Sequence, residues 1–559
     1  MGHAPPVASV RHRHRSSHQH SRHGSTDRQV SPLPAESTRQ ASARVRPRWV
    51  VPIWLRMAAY RLWLVAATSA LCAVLLWLQN LLGAVPPHPS RGQTIVQWAE
   101  LIWLCPVPAA VALWVGWFLF AEMALPDPVA VDAPRTRRRR SAPAQTVRLI
   151  FRIVTRGENV DVLRESVAAV HQAFKDYSAA SGPYRIEVVS ERALDDIACH
   201  ERTRIYVVPV TYVAACHSRF KARALAYLQS QVQLSAHDWC IYLDEESMVD
   251  AAFLAGIYQY ILRVSPPGRT TSRQRPCPIG QGAILYQGDN WFFQGADALR
   301  TADDLGRFRL QYALGVPLFG IHGSYIVVRS IEDAALSFDV GARNSLTEDA
   351  AWSLRAWARG HRFAWVSGTL YEQPPQTALD FVRQRARWLA GIRRVLRDRA
   401  VPVRFRLGLG LFTALWQLSF LPFLVAIAAL LVHIAPFPWM RLAADFAWAC
   451  YVLAYLQGVD RSVARRRRSA YASAVARNST NRWQRGARTL GRSLVRVAAW
   501  ALALCYIWYA LLEAGGVLWS LVPKGGFFVI RKRGHLAARE RSSTPQPVRL
   551  IGRSEGSQA

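Results

Sequence analysis

Residues 239–247, Trp-Cys-Ile-Tyr-Leu-Asp-Glu-Glu-Ser, run from an apolar stretch straight into three consecutive acids. A short apolar run closed by charge reads as a buried strand with its acids at the carboxyl end. VRLIFRIVT (147–155), YRIEVVS (184–190) and RIYVVPV (204–210) are further strands of the same kind. Between them, Leu163, Val167, Val170, Phe174 and Tyr177 recur at helical spacing behind Asn159, a candidate cap, and KARALAYLQSQV (221–232) reads as a second helix. This alternation over 146–400 predicts a parallel-rich, Rossmann-like α/β sheet that binds ligands at the carboxyl ends of its strands.

The flanks differ in character. The chain of 559 residues is 51% hydrophobic, yet carries 70 Lys+Arg against 37 Asp+Glu, a formal charge of +33. Such a balance fits either a nucleic-acid binder or a membrane protein whose basic loops stay in the cytoplasm. The Arg runs flank apolar stretches and do not line one folded face, which favours the membrane reading and predicts no nucleic-acid partner. Residues 1–50 read as a disordered basic tail, whose six histidines from His3 to His23 belong to a solvated segment. Residues 51–125 hold two transmembrane helices, at 54–83 and 95–121. The Arg135–Arg140 run after them places the 146–400 domain in the cytoplasm.

Beyond 400 the segments are two transmembrane or interfacial helices (404–457), a basic loop (458–490), a transmembrane or re-entrant segment (493–522) and a basic tail (523–559). Three full spans would leave that basic tail outside. Two solutions remain open: a break at Glu513 and Gly515-Gly516 that makes 493–522 re-entrant, or an earlier segment lying on the membrane surface. None of the eight cysteines forms a Cys-x-x-Cys pair, so no disulfide framework or zinc site is expected.

Three motifs carry chemistry. Strand alternation would put Asp244 and Glu246 on one side and Glu245 on the other. A carboxylate pair there suits Mg²⁺ or Mn²⁺, hard cations that bridge phosphates, and a solvated strand end is the alternative. Thr347-Glu348-Asp349 opens a helix that Gly360 closes. Capping explains the two acids, and so does a carboxylate base toward an acceptor hydroxyl. Gln384, Arg387 and Trp388 share one helix face at i, i+3 and i+4. That face suits an acceptor sugar, with the indole stacked on it, or a pyrophosphate, and also a basic helix on the membrane. PKGGFFVIRK (523–532) is either a juxtamembrane anchor or a mobile loop reaching the site.

The acidic triplet, TED and QxxRW, in this order between apolar segments, resemble membrane-bound inverting glycosyltransferases of family 2, which include cellulose, chitin and hyaluronan synthases. The stretch 148–392 is most similar to egghead-type β-1,4-mannosyltransferases, through FRIVTRGE, IEVVSE, FKARALAY, LDEES, SLTEDAAW and LYEQPPQTALDFVRQRARW. The resemblance implies a GT-A fold embedded between the transmembrane helices of a multi-pass cell-membrane protein. It implies Asp244 and Glu246 as metal and diphosphate ligands, Asp349 as base, and Gln384, Arg387 and Trp388 as the acceptor and diphosphate site. Thr155, Glu158, Glu191, Lys221, Arg223 and Asp244 would bind the donor, and Phe527, Phe528, Ile530 and Lys532 would form a gating loop. The implied donor is GDP-mannose or a UDP-hexose, and the acceptor a lipid-linked or other glycan. A processive synthase is the rival within this chemistry. A membrane-anchored scaffold or nucleic-acid binder with an inactive transferase fold is the rival outside it.

Overall fold

The computed structural model describes residues 52–81, 100–120, 147–177, 182–194, 201–264, 278–287, 290–419, 437–465 and 506–522, with isolated positions within 94–98, 421–431 and 497–501. The basic tail 1–50, most of the 458–490 loop and the 523–559 segment with Phe527, Phe528, Ile530 and Lys532 lie outside the described residues.

Seven strands form one sheet: β1 (Leu149–Thr155), β2 (Tyr184–Ser190), β3 (Thr203–Val207), β4 (Trp239–Asp244), β5 (Ile279–Tyr286), β6 (Ile326–Arg329) and β7 (Phe363–Glu372), in the order β3-β2-β1-β4-β6-β5-β7. The pairs β1–β2, β2–β3, β1–β4 and β5–β7 are parallel, and β6 runs against both β4 and β5. The sheet is therefore parallel-rich, as expected, with one reversed strand. Thr155, Asp244 and Glu372 end β1, β4 and β7, so all three arrive at one edge.

Helices cover both faces because the strands are buried on both. Helices α3 (Val160–Asp176) and α5 (Ala251–Val264) pack on one side through Leu163, Val170, Phe253 and Ile257. On the other side lie α4 (Phe220–Gln231) and α7 (Glu348–Ala358), through Leu225, Leu228, Ala351 and Trp352. The short helix α6 (Ser330–Ala335) comes directly after β6. Asn159 and Thr347 occupy the N-cap positions of α3 and α7, but neither side chain caps its helix. Asn159 donates to Glu245 instead. Gly360 does take the left-handed conformation after α7, with φ of 88°.

An ion network crosses the sheet. Arg152 of β1 is buried in register between Glu187 of β2 and Tyr242 of β4. Its Nε meets Glu187 at 3.0 Å, and its Nη1 reaches Asp333 of α6 at 2.6 Å and the Tyr242 hydroxyl at 2.7 Å. One guanidinium so bridges two buried carboxylates, and Arg185 supplies a second cation to Glu187.

Three helical stretches among the described residues are long and apolar enough to cross a membrane: Trp54–Leu81, Glu100–Leu119 and Pro438–Ser462. They correspond to α1 (Ile53–Leu81), a 3₁₀ turn (Glu100–Leu104) leading into α2 (Val107–Leu119), and α10 (Pro438–Arg465). The α10 helix continues past the boundary expected at 457. Helices α8 (Ala378–Leu396), α9 (Val403–Leu418) and α11 (Tyr506–Leu521) complete the chain. Among the described residues, α9 and α11 run 16 residues each, about 24 Å.

These helices meet the segments around the sheet at glycines. A β-carbon on Gly116 of α2 would lie 2.1 Å from the Gly306 carbonyl oxygen, and one on Gly516 of α11 would lie 2.5 Å from Arg385 Cβ of α8. The expected break at Gly515-Gly516 is absent: α11 runs through both residues. Those glycines let two helices meet, and they make no turn.

Because removing Arg152 takes from buried Asp333 its guanidinium partner and leaves Glu187 to Arg185, R152M is expected to destabilise the fold by about 3–5 kcal/mol. The measurement is the thermal unfolding midpoint of the detergent-solubilised protein, and an unchanged midpoint would refute the network's role.

Candidate active site

A cavity of about 460 Å³ opens at the carboxyl edge of the sheet and continues between the apolar helices. Its polar half carries Thr155, Glu191, Lys221, the three acids 244–246 and Asp349, and then Gln384, Arg387 and Trp388. Loops and helix ends far apart in sequence thus converge on one space. Glu158 and Arg223 do not line it. Glu158 lies 3.5 Å from Arg192, while Arg223 braces the 209–212 loop through the Pro209 and Tyr212 carbonyls and approaches Glu191 at 3.5 Å.

Strand β4 stops at Asp244, so Glu245 and Glu246 lie in the next turn and alternation does not decide their directions. Contacts decide them. Glu245 accepts from Thr155 Oγ1 and Asn159 Nδ2, both at 2.5 Å, and is thereby bound to the base of α3. Burial, then the neighbouring Glu246 charge, push its carboxyl up to about 7. Asp244 Oδ1 instead meets Lys221 Nζ, which also donates to the Gly323 carbonyl at 2.8 Å and lies 3.7 Å from Glu348 Oε1. Burial alone would lower the Lys221 pKa, but Asp244 and Glu348 hold it above the ordinary lysine range.

Glu348 and Asp349 open α7 inside this cluster. Burial pushes Glu348 up to about 7 against the pull of Lys221. Asp349 is raised by burial as well, opposed by the Ala350 N–H (2.8 Å from Oδ1), Lys221, His322 and Arg387. A carboxyl held above its usual range, facing a cavity, is suited to take a proton near neutral pH.

Other polar side chains, which the sequence did not assign to the site, belong to the same space. Glu372, at the end of β7, accepts from the Ser324 hydroxyl, and burial followed by the Asp244 and Glu246 charges pushes it up to about 7. An acid closing a strand before Pro374 is a readable signal of the same type as Asp244. Arg300 and Arg385 place their guanidinium carbons 4.5 and 4.6 Å from the Trp388 ring centroid. The indole expected to stack on a sugar is thus already engaged with two cations. Arg385 further donates to Gln384 Oε1 at 2.9 Å, to Asp297, and to Glu513 of α11 at 2.7 Å. Glu513, expected at a break, is the partner that ties α11 to the QxxRW helix.

The residues fit a divalent cation. No group of three or more metal-ligating side chains is assembled among the described residues, yet Asp244, Glu246 and Glu372 crowd their charges together at the strand ends. Magnesium and manganese bind through one or two carboxylates plus substrate phosphates, and a hard oxygen donor pair with excess negative charge is what Asp244 and Glu246 offer.

The family described as glycosyl transferase family group 2 matches residues 239–527, from the first residue of β4 to beyond α11. This chain belongs to that family. The chain is 35% identical over 274 residues to the β-1,4-mannosyltransferase egh of Drosophila melanogaster, covering 48% of this chain and 57% of the fly protein. It is 31% identical over 343 residues to the β-1,4-mannosyltransferase bre-3 of Caenorhabditis elegans, covering 59% of this chain and 71% of the worm protein. The chain thus spans little more than half the length of the fly relative. Among solved structures, residues 1–349 of S. aureus TarS in complex with UDP-GlcNAc superpose with a TM-score of 0.27 at 10% identity, over 56% of this chain and 89% of that one. Family membership and the seven-stranded sheet together give the α/β GT-A fold, flanked by helices long and apolar enough for a membrane.

Since Arg387 is one of the charges opposing the upward shift of Asp349, R387M lets that pKa rise further. The acid limb of the pH–rate profile is then expected to move to higher pH. A limb that stays in place would mean that a different group titrates.

Proposed function

We propose that the transferase is an inverting, metal-dependent hexosyltransferase that moves mannose from GDP-mannose to a lipid-linked or glycan acceptor at the membrane. The names of the relatives support the sugar. The observation that carries the acceptor is the shape of the cavity: the space holding Asp349 continues between Leu113, Leu409, Phe412, Trp416 and Trp448 of the apolar helices. An acceptor on a lipid brings its sugar to Asp349 while its tail rests on those walls. The Arg-rich segment before 146 supports a cytoplasmic catalytic domain in a multi-pass protein.

In this mechanism Asp349 takes the proton of the acceptor hydroxyl. That oxygen forms a bond to the anomeric carbon as the bond to the diphosphate oxygen breaks on the opposite face, which inverts the centre. A divalent ion held by Asp244 and Glu246, when bound, supplies charge neutralisation for the departing diphosphate. Lys221 and Arg387 add fixed positive charge close to the base. Thr155, at the end of β1, and Glu191, just past β2, line the cavity where the nucleoside is received.

Two experiments test this. With metal present, D349N is expected to lower transfer about 10²–10⁴-fold, the usual worth of a general base, and transfer at the wild-type rate would sink the assignment. In a thermal-shift screen, GDP with Mn²⁺ is expected to stabilise the protein more than UDP does, because a bound ligand favours the folded state by mass action. D244N should abolish that metal dependence, and preference for UDP would point to a different donor. Product sizing separates a single transfer from a polymer.

A further inference from the structure

The segment Ile321–Ser324 connects the short helices of 291–313 to β6, and each of its polar groups meets a different part of the site. The Gly323 carbonyl accepts from Lys221 at 2.8 Å, and the Ser324 hydroxyl donates to Glu372. A β-carbon at Gly323 would lie 3.2 Å from both Asp349 Oδ2 and Lys221 Nζ, so this backbone passes directly against the base. His322, one residue earlier, lines the same cavity.

The ring of His322 is held from two sides, and its backbone from a third. Its Nε2 lies 2.6 Å from Asp304 Oδ1, its plane stacks on Phe308 at 4.5 Å between centroids, and its backbone N–H donates to Gln281 Oε1 at 3.0 Å. Asp304 is itself buried and accepts the Ile284 N–H at 2.8 Å through its other oxygen. It opens a π-helical turn, Asp304–Phe308, an irregularity often found at functional sites. In the tautomer whose Nε2–H donates to that carboxylate, the imidazole lone pair lies on Nδ1. A buried carboxylate that sets a histidine's tautomer and direction goes beyond what packing requires.

We propose that His322 is an acceptor-binding residue: Nδ1 accepts a hydrogen bond from a hydroxyl of the acceptor sugar next to the one that Asp349 deprotonates, and Asp304 is the positioning residue that holds the ring in this tautomer. This rests on the reading of Asp349 as the base. It assigns the acceptor's orientation to the 304–322 pair, in addition to the QxxRW face.

The test uses the full-length protein in detergent, GDP-mannose with Mn²⁺, and octyl β-glucoside, mannoside and galactoside as acceptor probes. Transfer to the glycoside and hydrolysis of the donor are measured together. H322A is expected to lower the ratio of transfer to hydrolysis at least tenfold and to raise the acceptor KM, with the GDP Kd within twofold of wild type. H322N places an amide oxygen near the Nδ1 position and should recover part of the ratio. H322Q reaches toward Asp304 and should not. D304N keeps the shape but favours the other tautomer, and should lower the ratio while leaving the thermal midpoint near that of H322N. An equal ratio in wild type and H322A, or equal recovery by H322N and H322Q, would overturn the proposal. Absence of both transfer and hydrolysis in the wild-type protein would overturn the functional reading and this one with it.

Discussion

Lys221 joins three parts of the chain that lie far apart in sequence: the end of β4 at Asp244, the start of α7 at Glu348, and the Gly323 backbone before β6. Two unit charges near 4 Å are worth about 1 kcal/mol in water and several times that at the lower effective dielectric of a partly buried site. Without the ammonium, the carboxylates at 244 and 348 would face each other in a desolvated space. The motifs that look independent along the chain are therefore one electrostatic unit, tied together by an ammonium that lines the cavity. Under the proposed function, a metal and the donor phosphates would enter a site whose charges are already balanced in part, so ligand binding would exchange partners within an existing arrangement.

Much of this is legible in the sequence, for a physical reason. Strands buried on both faces are written as unbroken apolar runs, so 149–155, 184–190 and 239–244 announce themselves and the acid at 244 marks where the strand surfaces. The turn beyond Asp244 is not legible in the same way. Alternation applies only while the backbone stays extended, and β4 ends at Asp244. Glu245 is nonetheless turned away from the pair, because Thr155 and Asn159 hold it. The same Asn159 shows why capping rules mislead at a site: a better partner took the side chain.

Other residues are not legible at all. Arg300, Arg385 and Glu513 reach the site from a short helix, from the unassigned position of a known motif, and from an apolar helix. Nothing local distinguishes them, since their partners are distant in sequence. Glycines 515 and 516 suggest a break for the same reason: a glycine pair signals flexibility locally, but here it is the clearance for α8.

The contact between Gly116 and Gly306 joins two backbones with no side chain between them. Gly306 belongs to the turn that begins at Asp304, and Gly116 to a helix long enough, with its 3₁₀ lead, to cross a bilayer. Helices adjust their tilt to the thickness of the lipid around them. Direct backbone contact leaves no compliant layer to absorb such a tilt, so it is borne by the turn itself or by slippage along the helix. The bilayer is in this sense mechanically in series with the chemistry, and lipid composition becomes one of the coordinates of the site.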